Sequence, residues 1–271
     1  MDDLWGYRGK TVVIDGASSG MGLAATKLLL ELGADIYALD VNEPPVTVKK
    51  YIHTDLGDKS SIDAAVEQLP NEVRALFCCA GLPGAPFPDI DVVMVNFVGH
   101  RHLIEKVIPR MNPQEGAIAI ISSLAGAMWR FHGLFFQGLL DTADFDEAKA
   151  WVQANTAKIK TAQNGVEGGY AFSKECICAY ARHKAIELAQ KGLRLNVLSP
   201  AATETPMFKH FRNQFGDALD QWKVGRFATP EDMARPLVFL NSSMAGYISG
   251  QDLMVDNGLS AIMEFAPIAQ G

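Results

Sequence analysis

Residues 10–40 read KTVVIDGASSGMGLAATKLLLELGADIYALD, and the order of residue types along them decides the fold. Thr11 to Ile14 is an unbroken β-branched run, the composition of a strand buried on both faces. A glycine-rich turn, DGASSGMG, follows. From Leu23 the apolar residues recur at helical spacing to Leu32, where Gly33 stops the helix. Asp35 to Asp40 (DIYALD) is a second short strand. Strand, glycine loop, helix and strand in this order make a βαβ unit, in which a helix crosses over between two parallel strands.

The alternation continues down the chain. Strands are expected at 51–54, 73–79, 116–122, 193–198 and 253–256. Helices are expected at 60–69, 90–111 with a break near Pro109, 169–190 and 230–240. Seven strands with apolar cores and intervening helices predict an α/β protein of Rossmann type: one doubly wound, seven-stranded parallel sheet in a single domain over residues 1–271. One stretch interrupts the rhythm. Between about 127 and 168 the chain carries Phe145, Ala148, Val152 and Ile159 at helical intervals in a polar background, which predicts an inserted amphipathic helix or helix pair.

The bulk composition excludes several functions. The 271 residues are 48% hydrophobic and 20% charged, with 24 Lys and Arg against 31 Asp and Glu. A net charge of −7 without a basic cluster argues against nucleic-acid and anionic-membrane partners. The start, MDDLWGYRGK, has no apolar core of a secretory signal, and no apolar stretch is long enough to span a bilayer, so a cytoplasmic location is expected. Cys78, Cys79, Cys176 and Cys178 match no zinc spacing and read as small core residues of a reducing compartment. The six histidines are scattered and predict structural or surface roles. No metal site is expected.

The chemistry sits in two places. Gly16, Gly20 and Gly22 lie between a strand and a helix, where missing side chains let the backbone approach a pyrophosphate and the helix start offers free N–H groups. Asp40 ends the second strand, 20 residues beyond Gly20, where a carboxylate accepts hydrogen bonds from the adenosine ribose and repels a 2′-phosphate. No Arg or Lys lies within 17–20 or 41–43, so NAD is the expected cofactor. Further on, Tyr170 and Lys174 are spaced i, i+4 on a predicted helix and share one face. A phenol with a pKa near 10 is a poor base at neutral pH. A neighbouring ammonium and a positive nicotinamide ring would favour its phenolate.

These segments keep further company. CCAG at 78–81, NFVGH around Asn96, ISSLAG around Ser123, YAFSK at 170–174 and SPAATETP at 199–206 occur, with DGASSGMG, in an order that resembles the short-chain dehydrogenase/reductase family along essentially the whole chain. The resemblance implies a catalytic group of Asn96, Ser123, Tyr170 and Lys174. Tyr170 would be the general acid/base and Ser123 the hydrogen-bond partner of the substrate oxygen. Lys174 would hold the ribose and acidify the tyrosine, and Asn96 would anchor a water in a proton relay. It also implies cofactor contacts from Gly16, Ser18, Ser19, Gly20, Met21 and Gly22, and from Asp40, Asp55, Leu56, Ala80 and Gly81. Tyr170, Lys174, Pro200, Thr203 and Thr205 complete that set. A homodimer or homotetramer is implied as well.

Three departures stand out. Asp15 occupies a position where the family usually has threonine, Cys78-Cys79 replace asparagines, and Ala201 replaces a glycine. Asp15 is expected to cap backbone N–H groups, at an electrostatic cost beside a pyrophosphate. Tyr170 stands 47 positions after Ser123, far more than the family's usual dozen. That enlargement is similar to bacterial 3α-hydroxysteroid dehydrogenase/carbonyl reductases and coniferyl-alcohol dehydrogenases, where it is associated with the substrate mouth and an altered subunit interface.

On the substrate side, Met207, Phe208, Phe211, Phe215, Leu219 and Trp222 recur every three or four residues. They predict a helix within a lid of about 204–223 that either packs in the core or closes over a bulky apolar ligand. Met128, Trp129, Phe131, Leu134, Phe135 and Phe136 would line the opposite wall or bury the insertion against the body. The expected substrate is a small hydrophobic ring alcohol or ketone, a hydroxysteroid first and a coniferyl-type aromatic alcohol second. The alternative from another class is a catalytically silent NAD-binding regulator, which the intact four-residue set argues against.

Overall fold

The structure, a computed structural model, describes residues 3–161 and 168–265. Its strands are β1 (Thr11–Asp15), β2 (Asp35–Asp40), β3 (Lys50–His53), β4 (Ala75–Cys78), β5 (Ala117–Ile121), β6 (Arg194–Pro200) and β7 (Asp252–Val255). Its α-helices are α1 (Gly20–Glu31), α2 (Lys59–Glu67), α3 (Asp89–Val93), α4 (His100–Val107), α5 (Gly133–Leu140) and α6 (Phe145–Lys160). They continue with α7 (Gly168–Gln190), α8 (Phe208–Phe215), α9 (Pro230–Asn241) and α10 (Leu259–Phe265).

All seven strands are parallel and lie in the order β3-β2-β1-β4-β5-β6-β7. Each crossover therefore needs a helix, and helices cover both faces. The pleat of β1 shows the division: Val13 packs into one core, Val12 and Ile14 into the other. With both faces covered, polar alternation disappears from the strands, which is why TVVI reads as a continuous apolar run. The chain reverses direction across the sheet between β1 and β4. The loops leaving those two strands diverge there and open a crevice at the carboxyl edge.

Boundaries differ from expectation in two instructive places. Val73 forms only an isolated bridge to Met111, and β4 proper starts at Ala75. Strand β6 runs on to Pro200, which sits opposite Val255. A proline at the last position of a strand removes little from the ladder, although in sequence it reads as a stop.

The insertion is a helix pair, α5 and α6, as one of the two expected forms; its residues 162–167 lie outside the described residues. Phe145, Ala148, Val152 and Ile159 are all buried. The pair is fastened to the body by Arg101, whose guanidinium donates to the Leu139 and Asp144 carbonyls. Trp151 stacks on Phe172 of α7 at 6.1 Å, and Phe135 meets the same ring edge-on at 5.3 Å. Helix α7 is buried from Gly168 through Ala181 as a result.

Candidate active site

Two adjoining cavities occupy the carboxyl edge of the sheet. The first is a cleft of about 680 Å³ running from Asp40 and Asp55 past the glycine loop to Ala80, Gly81 and Thr205. Its floor is backbone. A side chain on Gly16 would meet the Ala80 nitrogen at 2.5 Å, and one on Gly22 would meet the Gly16 carbonyl at 2.1 Å, so neither position admits a Cβ. Ser19, the residue before α1, is extended and places no side chain on the helix N-terminus, which leaves the positive end of the helix facing the cleft. The Asp40 carboxylate braces this rim, accepting the Ser18 and Asn42 N–H groups at 2.9 Å each. Asp55 accepts the Gly57 N–H at 2.8 Å in the same way. A long, glycine-floored cleft with an uncapped helix start and an acid at its far end fits a dinucleotide.

The second cavity, of about 200 Å³, shares Met21, Ala80, Gly81 and Thr205 with the first and adds Ser123, Tyr170, Lys174, Pro200 and Thr203. Every expected cofactor contact thus borders one cavity or both. The Ser123 and Tyr170 side chains border the same cavity, and the Ser123 hydroxyl acts on the phenol to favour its ionised form. The neighbouring Ser122 is turned the other way, its hydroxyl donating to the Lys174 carbonyl at 2.8 Å. The Lys174 ammonium lies 5.6 Å from the centre of the Tyr170 ring and donates to the Ile121 carbonyl at 3.0 Å.

Burial governs the protonation of this pair. It raises the Tyr170 phenol above its ordinary value, with the Ser123 hydrogen bond pulling the other way. It also pushes the Lys174 ammonium down to about 8. In the protein by itself the phenol is therefore not acidified: desolvation outweighs the Ser123 hydrogen bond, and the expectation invoked the nicotinamide ring as well as the ammonium.

Asn96 borders neither cavity. It sits in a π-helical turn, Met94–Gly99, wedged between α3 and α4. Its side chain is fully buried and accepts from the Leu82 N–H at 2.7 Å, while its amide donates to the Leu82 carbonyl and the Ser173 hydroxyl. Asn96 therefore fixes the loop after Gly81 against the helix that carries Tyr170.

The apolar segment after Thr205 roofs the second cavity. Met207, Phe208, Phe211, Phe215, Leu219 and Trp222 all line it, and the Phe211 ring meets Tyr170 edge-on at 5.2 Å. The segment is not one helix: α8 ends at Phe215, and a 3₁₀ stretch, Gly216–Trp222, completes the roof. Leu124 and Ala125 line the second cavity beside Ser123, but the large aromatic residues that follow them do not. Trp129, Phe135 and Phe136 pack against the core on the other side of α7, so they bury the insertion.

The histidines are less bland than their scatter suggests. His100 contacts Asp15 at 3.1 Å, His102 contacts Asp63 at 2.8 Å, and His132 contacts Glu175 at 2.9 Å. Only His100 had a local signal, its place one turn after Asn96 in NFVGH. The partners come from distant segments that spacing does not reveal.

A model described as short chain dehydrogenase matches residues 10–136, and one described as Enoyl-(Acyl carrier protein) reductase matches residues 149–260. The chain belongs to the short-chain dehydrogenase/reductase family. It is an oxidoreductase of that family by fold and motif order alike. Within it, the chain is 29% identical over 256 residues to coniferyl-alcohol dehydrogenase of a Pseudomonas species, covering 93% of this chain and 97% of the relative. It is also 29% identical over 260 residues to 3-alpha-hydroxysteroid dehydrogenase/carbonyl reductase of Comamonas testosteroni, with the same coverage of 93% and 97%. Among solved structures of the family, a 3-alpha-hydroxysteroid dehydrogenase from Pseudomonas sp. B-0831 complexed with NADH superposes with a TM-score of 0.78 at 25% identity, over 94% of this chain and 98% of that one. No helix among the described residues is long and apolar enough to cross a membrane.

Proposed function

We propose that this short-chain dehydrogenase is NAD-dependent and interconverts an alcohol and a carbonyl on a hydrophobic ring substrate. The observation that carries this reading is a single cavity holding the Ser123–Tyr170 hydroxyl pair and Lys174 under an aromatic roof, continuous with the glycine-floored cleft.

Residues 16–22 would hold the pyrophosphate, Asp40 the adenosine ribose, and Asp55 and Leu56 the adenine. Lys174 would hold the other ribose, with Pro200, Thr203 and Thr205 around the carboxamide. The bound nicotinamide supplies the redox chemistry, taking a hydride from the carbinol carbon or returning it. Ser123 donates to the substrate oxygen, and Tyr170 exchanges a proton with it. In the reducing direction the neutral phenol that burial favours is already the correct donor. In the oxidising direction Tyr170 must first lose its proton, which the Lys174 cation assists. The buried Asn96–Leu82 clasp keeps the two halves of the site in register. These roles for Asn96, Ser123, Tyr170 and Lys174 are part of the proposal.

Cavity size supports placing the aromatic alcohol ahead of the hydroxysteroid in this reading. About 200 Å³ under the roof as it stands is below the roughly 300–1,000 Å³ of pockets for drug-sized ligands. That space suits a single aromatic ring with a short alcohol side chain better than the larger ring system of a hydroxysteroid. Steady-state assays with NAD and NADP against coniferyl-type alcohols and 3α-hydroxysteroids test both points. Turnover with NAD on one of the two classes is expected, with aromatic alcohols having the higher kcat/KM. Tight NAD binding without turnover across the panel would replace this reading with the silent regulator.

A further inference from the structure

The larger cleft is bordered by five aspartates, Asp15, Asp40, Asp55, Asp58 and Asp91. Asp15 accepts the Cys79 N–H at 2.9 Å and the Ala80 N–H at 2.7 Å, the capping expected of it. Asp58 accepts the Ser60 N–H at 2.9 Å and the Ser60 hydroxyl at 2.8 Å. With the bonds of Asp40 and Asp55, these hold the loops in place and leave carboxylate charge along the path of the ligand. A dinucleotide carries a doubly charged pyrophosphate, so that charge opposes binding wherever nothing beyond the α1 N-terminus offsets it. Among the described residues that border the cleft, one Lys or Arg is present, Lys149.

Lys149 comes from α6, the second helix of the insertion. The start of that helix is anchored. The Asp144 carboxylate caps it by accepting the Asp146 and Glu147 N–H groups, and the Asp144 carbonyl accepts from Arg101. Phe145 is buried edge-on against His102 at 5.5 Å, and His102 contacts Asp63 of α2 at 2.8 Å. The first turn of α6 is thus pinned to α4 and, through it, to α2. Lys149 stands one turn further on. Gly57 and Asp58 lie with it on the border between the cleft and a gap of about 450 Å³ that opens off it.

The ammonium there is uncommitted. Neighbouring cations are paired, Lys59 with Asp63 at 2.8 Å and Lys106 with Asp63 at 3.7 Å, and Asp146 on the turn before acts on Lys59. Lys149 is exposed and closes no ion pair with any described residue. Its charge is nevertheless felt across the gap. The Ser60 hydroxyl and N–H hold the Asp58 carboxyl below its ordinary value, and Lys149 adds a smaller pull in the same direction.

We propose that Lys149 is a dinucleotide-binding residue, through which the insertion supplies the cleft with a cation at its adenine end. This rests on the dinucleotide reading above. Gly57 and Asp58 directly follow Asp55 and Leu56, the residues assigned to the adenine, and Lys149 borders the cleft with all four. An ammonium only donates hydrogen bonds and a carboxylate only accepts them. Adenine presents a ring-nitrogen acceptor beside an amine donor, so a lysine and an aspartate at one end of the cleft match both. The insertion thereby acquires a task on the cofactor side, apart from the substrate mouth and the subunit interface with which the resemblance associates it. Position 149 carries no motif for this role, because it meets 55–58 only once α6 has packed on α4.

The test is calorimetric titration of wild type and Lys149→Met with NAD, joined to competition against NADH fluorescence by AMP and by nicotinamide mononucleotide. The substitution leaves the buried residues of α6 in place, since Lys149 is exposed. Lys149→Met should weaken NAD and AMP by about threefold to tenfold and leave nicotinamide mononucleotide unchanged. The deficit should shrink with added salt, because the Debye length falls from about 10 Å at 0.1 M to about 3 Å at 1 M. Unchanged NAD and AMP affinity in Lys149→Met overturns the inference and leaves the dinucleotide reading intact. Equal weakening of AMP and nicotinamide mononucleotide also overturns it, because that is the mark of a diffuse charge and not of a contact at one end. Absence of NAD and NADH binding to wild type overturns both readings.

Discussion

The two cavities that meet at Ala80 and Gly81 are built from different materials. The dinucleotide-sized cleft is made of backbone: glycines whose Cβ atoms would strike main chain, an uncapped helix start and carboxylates that brace N–H groups. The smaller cavity is made of side chains, chiefly Phe208, Phe211, Phe215 and Trp222 over Tyr170. Backbone geometry tolerates few residue types, whereas an aromatic roof keeps its shape through many exchanges. The first surface therefore specifies its ligand sharply and the second loosely. That contrast is what separates a firm cofactor expectation from an open substrate.

Substitutions can break or sharpen this contrast. The largest effect is expected at the junction itself. Tyr170→Phe should lower kcat by about 10²- to 10⁴-fold while NAD affinity, measured by fluorescence titration, stays within about twofold. A comparable loss of NAD affinity would mean that the two cavities do not act separately. Next is Lys174→Met, read in stability. Burial lowers the Lys174 pKa from 10.5 to about 8, so the folded state penalises its charge. The penalty is fully present below pH 8 and disappears as pH rises toward 10.5, because there the unfolded chain binds the proton that the folded one has already lost. Lys174→Met should therefore be more stable than wild type at pH 7, by up to about 3 kcal/mol, with the gain shrinking above pH 8 in denaturant titrations. A loss of stability at pH 7 would refute that account.

Asp40→Ala comes third and probes the backbone-built surface. It should weaken NAD about ten-fold and narrow the preference over NADP, since it removes both the ribose acceptor and the brace on Ser18. A wild type that already favours NADP would reverse the reading of the strand end. The smallest effect is expected in the roof. Phe211→Ala should raise kcat/KM for hydroxysteroids about threefold to tenfold and leave NAD affinity unchanged. If large and small rings respond equally, the roof does not select by size.

The same division explains what the sequence made legible. Topology followed from residues 10–40 and the alternation after them, because strands buried on both faces and glycine turns leave few readings. The dinucleotide cleft was legible because Gly16, Gly22 and Asp40 are near-obligatory types at their positions. Tyr170 and Lys174 were found by motif, but their protonation was not, since desolvation depends on what α5, α6 and the roof place around them. The Asp15–His100 contact was invisible for a related reason: 85 residues separate the partners, and only the parallel pairing of β1 with β4 brings them together. The aromatic residues after Ser123 were ambiguous because a run of large side chains says that a surface is covered without saying by what.

The π-helical turn at Met94–Gly99 has a consequence for engineering and for natural drift. It accommodates one residue more than an ordinary turn, and each residue removed from a helix rotates everything beyond it by about 100°. A single deletion there would swing His100 off the Asp15 carboxylate or Asn96 off its Leu82 clasp, leaving composition and hydrophobicity almost untouched. Substitution scans across this helix will look permissive at its solvent face, while one-codon deletions should be uniformly lethal to activity. The tolerance of this region to change is set by counting residues, and only secondarily by choosing them.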